Sequence, residues 1–204
     1  MDNPSRSERS RKAVLQAALA IISRDGAGRL TLEAIARESG ISKGGVMHQF
    51  RTKEAVIKAL LELQSDYYES VAQQYGIDHG AEHQELELAK QIAVAREATN
   101  MSQSVAFAVL GAVVEQPDLL APALEVERKK LKTIKSQAAD PQAALVRWAA
   151  AKGLLMTVML GICPLSEKEI AQLFNHLLDE DEWAEAGQAK ADSPRAKPRK
   201  KPGK

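Results

Sequence analysis

Apolar residues recur along this 204-residue chain at intervals of three and four, which is the spacing of one face of an α-helix. A first stripe precedes the Asp25-Gly26 break and consists of Val14, Leu15, Ala18, Leu19 and Ile22. Strand signals are weak, because aromatic residues make up only 4% of the chain and β-branched runs are absent. The pattern therefore predicts an all-α protein of about nine helices.

Residues that can cap a helix precede several of these stripes. Thr31 and Ser42 each begin a short helix, and Gly40 separates the two. Thr52 begins a long helix that is expected to end near Gly76, with a loop or a loose helix start over residues 77–83. Further helices are predicted over residues 84–98 and 102–114 and after Pro122.

The segment 141–162 is apolar on nearly every side, so its helix needs two buried faces. Asp140 begins it as an N-cap, followed by proline at the first helical position, and Pro164 is expected to end it. Ser166 and Glu169 then have the spacing of a capping box at the start of a one-sided apolar helix.

Charge is distributed unevenly along the chain, although the net charge is only +1. Residues 1–58 carry 11 Lys and Arg against 6 Asp and Glu, whereas residues 59–186 carry 10 against 20. A basic front beside an acidic body indicates that the front faces a polyanion. Residues 184–204 contain no large apolar side chain and many cations, so they are predicted to form a disordered basic tail.

Several classes of protein are excluded by composition and spacing. One cysteine allows neither an internal disulfide nor a Cys-rich zinc module. The first residues have no apolar core, so no signal peptide is expected, and the most apolar run, 153–163, is about half a membrane span. We therefore expect a cytoplasmic protein without membrane contact.

The sequence also argues against an enzyme and against a resident cofactor. The four histidines are scattered, and neither a nucleophile–base spacing nor a Gly-rich phosphate loop is present. His79 and His83 have a spacing that can hold a metal ion on a helix, but Gly80 between them favours a loop.

Two short helices joined by a tight turn and flanked by longer helices fit a helix-turn-helix. Its second helix contains Gly44 and Gly45, which each cost roughly 1 kcal/mol relative to alanine in a helix interior. Their missing side chains would let the helix approach a neighbour, either a phosphate strand or the packed first helix. Ile41 and Phe50 are predicted to be core residues.

Polar residues around this unit have the chemistry of phosphate and base contacts. Thr31 and Ser42 can cap their helices and also hydrogen-bond phosphates, and Lys43 and Lys53 supply positive charge. His48 can reach a base edge or a phosphate.

A set of residues at fixed spacings runs through residues 14–62. It consists of the pair Ala17-Ala18, Asp25-Gly26, Thr31 four residues before Ile35-Ala36, Gly40-Ile41-Ser42, Gly44, Phe50 and Lys53-Glu54. With these features the segment resembles the N-terminal domain of TetR-type transcriptional regulators. The resemblance implies a three-helix DNA-binding domain over residues 8–68 and a helical effector-binding and dimerisation domain over residues 69–183.

The resemblance also implies DNA contacts from the recognition helix and phosphate contacts from residues beside it. The predicted DNA-binding residues are Arg29, Thr31, Ser42, Lys43, Gly44, Gly45, Met47, His48, Gln49 and Lys53.

Two positions depart from the family's pattern. Met47 stands where the family usually has a tyrosine that touches a phosphate, and methionine cannot donate a hydrogen bond. Gln49 stands where the family often has tyrosine or histidine. The lost phosphate contact could be replaced by His48, by Gln49 or by a basic arm of Arg6, Arg9, Arg11 and Lys12.

The resemblance implies that the last two long helices form a four-helix bundle with a partner subunit. The helix over residues 141–162 independently favours such a bundle, because it is apolar on nearly every side and needs a second buried face. The alternative is a helix buried wholly inside one monomer. The predicted dimer-interface residues are Leu155, Met159, Ile170, Leu173, Phe174 and Leu177.

The effector pocket is expected among helices between residues 60 and 160. Its candidate lining residues, each of which could equally be ordinary core packing, are Tyr67, Met101, Phe107, Met156 and Met159. Arg96 and Arg147 could anchor an acidic ligand or form surface salt bridges.

The leading interpretation is a homodimeric repressor that a small molecule releases from double-stranded operator DNA. Its two recognition helices would enter successive major grooves, about 34–36 Å apart. The alternative is a helical scaffold that binds small molecules or proteins but not operator DNA. Met47 and the modest net charge favour this alternative.

Overall fold

The structure is a computed structural model that describes residues 3–101 and 117–183. The described residues form eight α-helices, a further helical turn at residues 180–183 and no strand, which confirms the all-α prediction. The helices are α1 (Asn3–Asp25), α2 (Leu32–Ser39), α3 (Lys43–Gln49), α4 (Lys53–His79), α5 (Leu86–Ala98), α6 (Ala121–Gln137), α7 (Pro141–Met159) and α8 (Glu167–Leu178). Short 3₁₀ helices cover Ala27–Arg29, Gly80–Glu82 and Pro117–Leu120. The helix predicted over 102–114 and the tail predicted over 184–204 lie outside the described residues.

Side-chain caps hold five of the helix N-termini, at the positions that the sequence predicts. Each cap accepts a hydrogen bond from a backbone N–H two or three residues further on, and the caps are Thr31, Ser42, Thr52, Asp140 and Ser166. Ser166 and Glu169 form the full capping box. Since one such cap stabilises a helix by about 1 kcal/mol, these local contacts set where the helices begin.

α4 is longer than the sequence predicts. It continues through Gly76 to His79, and a 3₁₀ helix follows over Gly80–Glu82, so residues 77–82 are helical where the sequence indicates a loop or a loose helix start. A Cβ atom on Gly76 would lie 2.7 Å from Cε of Lys90 on α5. The flexible Lys90 side chain lies over Gly76, and the glycine does not end the helix. α5 itself begins at Leu86, two residues after the predicted start.

α7 is shorter than predicted, because it ends at Met159 and not at residue 162. Gly161 has a φ of 69°, in the left-handed region that favours glycine. The N–H of Gly161 bonds to the carbonyl of Val158, and the N–H of Ile162 bonds to that of Thr157, both at 3.0 Å. These two bonds form a Schellman motif, so the glycine ends the helix before Pro164 is reached.

Buried side chains form two separate clusters. The N-terminal core lies among α1, α2, α3 and the first half of α4 and includes Val14, Ala18, Ile21, Leu30, Ile35, Val46, Phe50 and Val56. The C-terminal core surrounds α5 and includes Leu88, Ile92, Ala95, Ile134, Ala144, Ala151, Phe174 and Leu177. The predicted domain division at residue 68 falls inside α4, which runs unbroken from the first cluster to its packing against α5.

The sequence suggests that Arg147 either binds an acidic ligand or forms a surface salt bridge. In the structure it forms a salt bridge, but a buried one. Its side chain is only 2% exposed, and its Nη1 donates to Glu85 Oε2 at 2.5 Å. Its Nε donates to the carbonyl of Leu177 at 2.9 Å, and burial lowers the pKa of the guanidinium. The buried ion pair therefore links α7 to the start of α5. Arg96 donates to Asn175 and forms no salt bridge within the described residues.

None of the helices that the structure describes combines the length and the apolar character needed to cross a membrane.

Candidate functional site

α2, α3 and the turn between them form a helix-turn-helix that packs on α1. Gly40 turns the chain with a φ of 69°, a left-handed conformation that other residues rarely adopt. Ile35 and Val46 are completely buried, and Phe50 is nearly so, which fixes both helices to the N-terminal core. Phe50 and the partly buried Ile41 are thus core residues, as predicted.

The opposite side of α3 faces solvent. Lys43, Gly44, Met47 and His48 are all exposed there, and helical spacing places positions 43, 44, 47 and 48 on one face. Gln49 is half-buried and donates from Nε2 to Ser7 Oγ of α1 at 3.1 Å. α3 therefore has one side held in the core and one side free to contact another molecule.

The two adjacent glycines of α3 have different surroundings. A Cβ atom on Gly45 would lie 2.7 Å from Cγ2 of Ile41 and 3.2 Å from Oγ of Ser42. A Cβ atom on Gly44 would have no heavy atom within 4 Å. Gly45 is therefore required by packing against the turn, whereas within the described residues nothing in the protein requires glycine at position 44.

This difference predicts opposite effects for two alanine substitutions. Gly44→Ala should raise the free energy of unfolding by about 0.5–1 kcal/mol through helix propensity. Gly45→Ala should lower it by about 1–2 kcal/mol, because the β-branched Ile41 and the Ser42 cap must shift. Urea unfolding of the two variants measures both effects. Equal stabilities would mean that the turn does not constrain position 45.

Charged and hydroxyl groups surround the exposed side of α3. Lys43 forms an ion pair with Glu33 in the first turn of α2, and this hydrogen bond lowers the pKa of the Glu33 carboxyl. Thr31 and Ser42 accept backbone hydrogen bonds at their hydroxyl oxygens, so each keeps a hydroxyl hydrogen that can be donated. Lys53 is the first residue of α4. These positions lie at the starts of three consecutive helices.

Two other predicted groups belong to the same N-terminal part of the chain. Arg29 is exposed at the end of the first 3₁₀ helix, one residue before buried Leu30. The basic arm is the first part of α1, and within it the guanidinium of Arg11 lies 4.7 Å from the ring centre of Phe50. The arm is thereby attached to the end of α3 by a cation–π contact.

A cleft of about 800 Å³ lies between α1, α4 and α5. Of the five predicted effector-pocket residues, Tyr67 and Met101 line it. Met156 and Met159 lie on α7 and are not among its described lining residues, and Phe107 lies outside the described residues. Glu97, a lining residue that sequence analysis did not single out, accepts a hydrogen bond from the hydroxyl of Tyr67 at 2.7 Å.

The predicted dimer-interface residues divide into two groups. Phe174 and Leu177 are buried in the C-terminal core of their own chain, so they have little surface to offer a partner. Leu173 is 41% exposed, and Leu155, Met159 and Ile170 are half-buried. Val146 and Met156 of α7 add two further exposed apolar side chains.

The two histidines at positions 79 and 83 contact different partners. His79 contacts Glu82, whereas His83 lies between the hydroxyl of Tyr75 at 2.9 Å and the carboxylate of Glu180 at 3.0 Å. Within the part of the chain that the structure describes, no group of three His, Cys, Asp or Glu side chains could hold a metal ion.

Two family models match the chain, on either side of the middle of α4. Residues 14–60 match the model described as bacterial regulatory proteins, tetR family. Residues 87–182 match the model described as tetracyclin repressor-like, C-terminal domain. Together the two matches account for more than half of the chain.

Several solved structures share this fold over most of their length. A TetR family member from Streptomyces coelicolor A3, SCO1917, is 19% identical, with a TM-score of 0.62 over 82% of this chain and 97% of that chain. The multidrug binding protein EbrR, complexed with malachite green, is 19% identical, with a TM-score of 0.61 over 82% and 96%. A transcriptional regulator from Rhodococcus sp. Rha1 is 18% identical, with a TM-score of 0.56 over 88% and 96%. At such identities the likeness shows the fold alone. No curated protein matches the chain in sequence.

Proposed function

The chain belongs to the TetR family of bacterial transcriptional regulators, and we propose that it is a repressor that a small molecule releases from operator DNA. The observation that carries this proposal is the two-sided α3. Buried Val46 holds one side in the core, and the other side presents Lys43, Met47 and His48 to solvent. A helix held in this way can enter a major groove without disturbing its own domain.

The proposed DNA-binding surface combines α3 with the starts of α2 and α4. Lys43 and Lys53 neutralise phosphates, and Thr31 and Ser42 donate hydroxyl hydrogens to phosphate oxygens. Exposed His48 reaches base edges, and Gly44 lets the helix backbone lie close to the DNA. Gln49 is held by Ser7, so α1 positions this side chain at the edge of the surface.

Salt-dependent binding tests the two lysines. Duplex fragments from the promoter region of the coding gene are titrated by fluorescence anisotropy at several salt concentrations. Lys43→Ala and Lys53→Ala should each weaken binding and reduce the slope of log K against log[salt] by about 0.9, because each loses one phosphate contact.

The control is Lys132→Ala, which removes the same charge from an exposed position on α6. Its salt slope should equal that of the unmodified protein. If Lys43→Ala and Lys53→Ala also keep that slope, these lysines are not phosphate contacts. If no promoter fragment is retained at all, the protein is a scaffold without operator binding.

We assign dimerisation to the apolar face of α7 and α8. Exposed Val146, Met156 and Leu173, with half-buried Leu155 and Ile170 beside them, form this face. Gly153, which lies between Val146 and Met156 on α7, has open space around its Cβ position, so a second helix can approach the backbone there. A symmetric dimer would present two α3 helices to successive major grooves of DNA in the cytoplasm.

The effector would act through the cleft between α1, α4 and α5. A ligand changes DNA affinity only to the extent that it binds the DNA-free conformation better than the DNA-bound one. The cleft meets this condition if the angle between α1 and α4 differs between the two states, because both helices contribute lining residues. We keep the division into a DNA-binding part, residues 8–68, and an effector and dimer part, residues 69–183, with α4 as the shared element.

A further inference from the structure

We propose that the cleft between α1, α4 and α5 binds a lipophilic organic cation, with the carboxylates of Glu97 and Asp66 as its counter-charges. This inference rests on the proposed function, because it names the chemical class of the effector.

The cleft has the size and the apolar character of a small-molecule site. Its volume of about 800 Å³ is within the range of roughly 300–1,000 Å³ that holds drug-sized ligands. Aliphatic side chains from two helices form most of its wall, among them Leu19 and Ile22 of α1 and Leu60 and Leu63 of α4. Leu63 is 56% exposed within the described structure, so a bound apolar molecule would remove its surface from water.

The charge of the cleft is negative. Asp66 and Glu97 line it, and none of its fourteen described lining residues is basic. Neither carboxylate forms an ion pair with any side chain in the described parts of the chain. The groups that hold Glu97 are neutral donors, the hydroxyl of Tyr67 at 2.7 Å and the amide of Asn100 at 3.3 Å. These bonds orient the carboxylate but leave its charge uncompensated, so a cation is favoured over a neutral or anionic ligand.

Aromatic side chains next to the carboxylates strengthen this preference. The rings of Tyr67 and Tyr68 both line the cleft, and their centres lie 5.5 Å apart at an angle of 53°. A cation over the face of a tyrosine ring is attracted by the negative charge of that face. Met101 also lines the cleft, and its sulfur, which accepts a contact from Gln64 Nε2 at 2.6 Å, is polarisable and suits aromatic groups.

The position of the cleft links such a ligand directly to the helix-turn-helix. Leu19, Ile22 and Ser23 belong to α1, and the neighbouring Ile21 of the same helix is buried in the N-terminal core with α2 and α3. A molecule held by Glu97 of α5 would therefore contact the DNA-binding half and the C-terminal half at once.

Two probes of the same shape and opposite charge test the proposal. Isothermal titration calorimetry without DNA compares tetraphenylphosphonium with tetraphenylborate. The phosphonium should bind at least about tenfold more tightly, since shape and apolar area are matched and only the charge differs. Equal binding of the two probes, or no binding of either, overturns the proposal.

Substitutions then locate the counter-charges. Glu97→Gln keeps the shape and an acceptor for Tyr67, and it should weaken phosphonium binding about tenfold. Asp66→Asn, at a more exposed position, should weaken it about two- to fivefold. Glu62→Gln removes the same charge from α4 outside the lining and is the matched control. If Glu97→Gln binds as tightly as this control, the proposed counter-charge is wrong.

Methionine methyl NMR provides an independent location, because the methionines lie in different places. The phosphonium should shift the Met101 resonance and leave those of Met47, Met156 and Met159 in place. A shift at Met156 or Met159 instead would place the ligand at α7 and overturn the proposal.

A separate experiment tests the proposed function: the phosphonium is added to the protein–DNA complex, and release of the DNA is measured. If the probe binds as described but leaves the complex intact, the release mechanism fails and the cation site stands. If DNA binding and dimerisation are as proposed but the cleft binds the phosphonium and the borate equally, only the cation site is wrong.

Discussion

Replacement of Arg147 by methionine is expected to lower the free energy of unfolding by about 3–5 kcal/mol. The guanidinium is 2% exposed and donates to Glu85 and to the carbonyl of Leu177. Its removal leaves the Glu85 carboxylate, only 14% exposed, without its counter-charge. A buried charge that loses its partner costs more than the pair contributed, because the charge has already lost its hydration.

Urea unfolding and thermal unfolding measure this effect, and the midpoint temperature should fall by about 6–20 °C for a chain of this size. The matched control is Arg128→Met, because Arg128 is 73% exposed and forms a 3.6 Å ion pair with Glu125 on the surface of α6. That variant should change stability by less than about 1 kcal/mol. Similar losses in the two variants would show that burial of Arg147 does not determine its contribution.

A double variant separates the missing charge from the missing volume. Arg147→Met combined with Glu85→Leu removes both charges, so it should recover a large part of the stability lost in Arg147→Met. Recovery should be incomplete, because the carbonyl of Leu177 still loses its donor. If the double variant is less stable than Arg147→Met, the Glu85 charge is not the source of the cost.

If the chain dimerises as proposed, replacement of Leu173 by glutamate is expected to give a monomer and to weaken operator binding on the order of a hundredfold. Leu173 is 41% exposed, so a charge there leaves the C-terminal core intact but would be buried against a partner subunit. A monomer contacts one half-site at a time and loses the effective concentration that links two half-sites, which contributes about 10²–10⁴ in affinity.

Sedimentation velocity gives the oligomeric state, and fluorescence anisotropy with promoter DNA gives the affinity. Gln172→Glu, at the adjacent exposed position of α8, adds the same charge beside the apolar face and should remain a dimer. Circular dichroism should show equal helix content in both variants. A Leu173→Glu protein that still sediments as a dimer would place the interface on a different surface.

Local chemistry made much of the helical architecture predictable. The caps at Thr31, Ser42, Thr52, Asp140 and Ser166 act within three residues of themselves, so the sequence contains the whole interaction. Apolar periodicity predicted the helices between them, and the spacings in residues 14–62 predicted the family that the two model matches show. The predicted helix ends were wrong where a glycine can either lie within a helix or end it. Gly76 lies within α4, whereas Gly161 ends α7.

The candidate site was predictable to a lesser degree. Phe50 was identified as a core residue from sequence, but the different surroundings of Gly44 and Gly45 depend on where the side chain of Ile41 points. Of the five proposed pocket residues, Tyr67 and Met101 line the cleft, and Glu97 was missed because its partner Tyr67 is thirty positions away. The DNA contacts, the effector and the dimer face stay predictions that the experiments above address.

The sequence by itself determined which segments are helical, where most of them begin and which family the chain resembles, because these properties follow from interactions between residues a few positions apart. The tertiary structure decided that Arg147 is buried with Glu85, that Phe174 and Leu177 belong to their own core and that Glu97 faces α4 across a cleft. Those contacts join residues about 30 to 90 positions apart. No local pattern specifies such pairs, because they depend on how whole helices pack against one another.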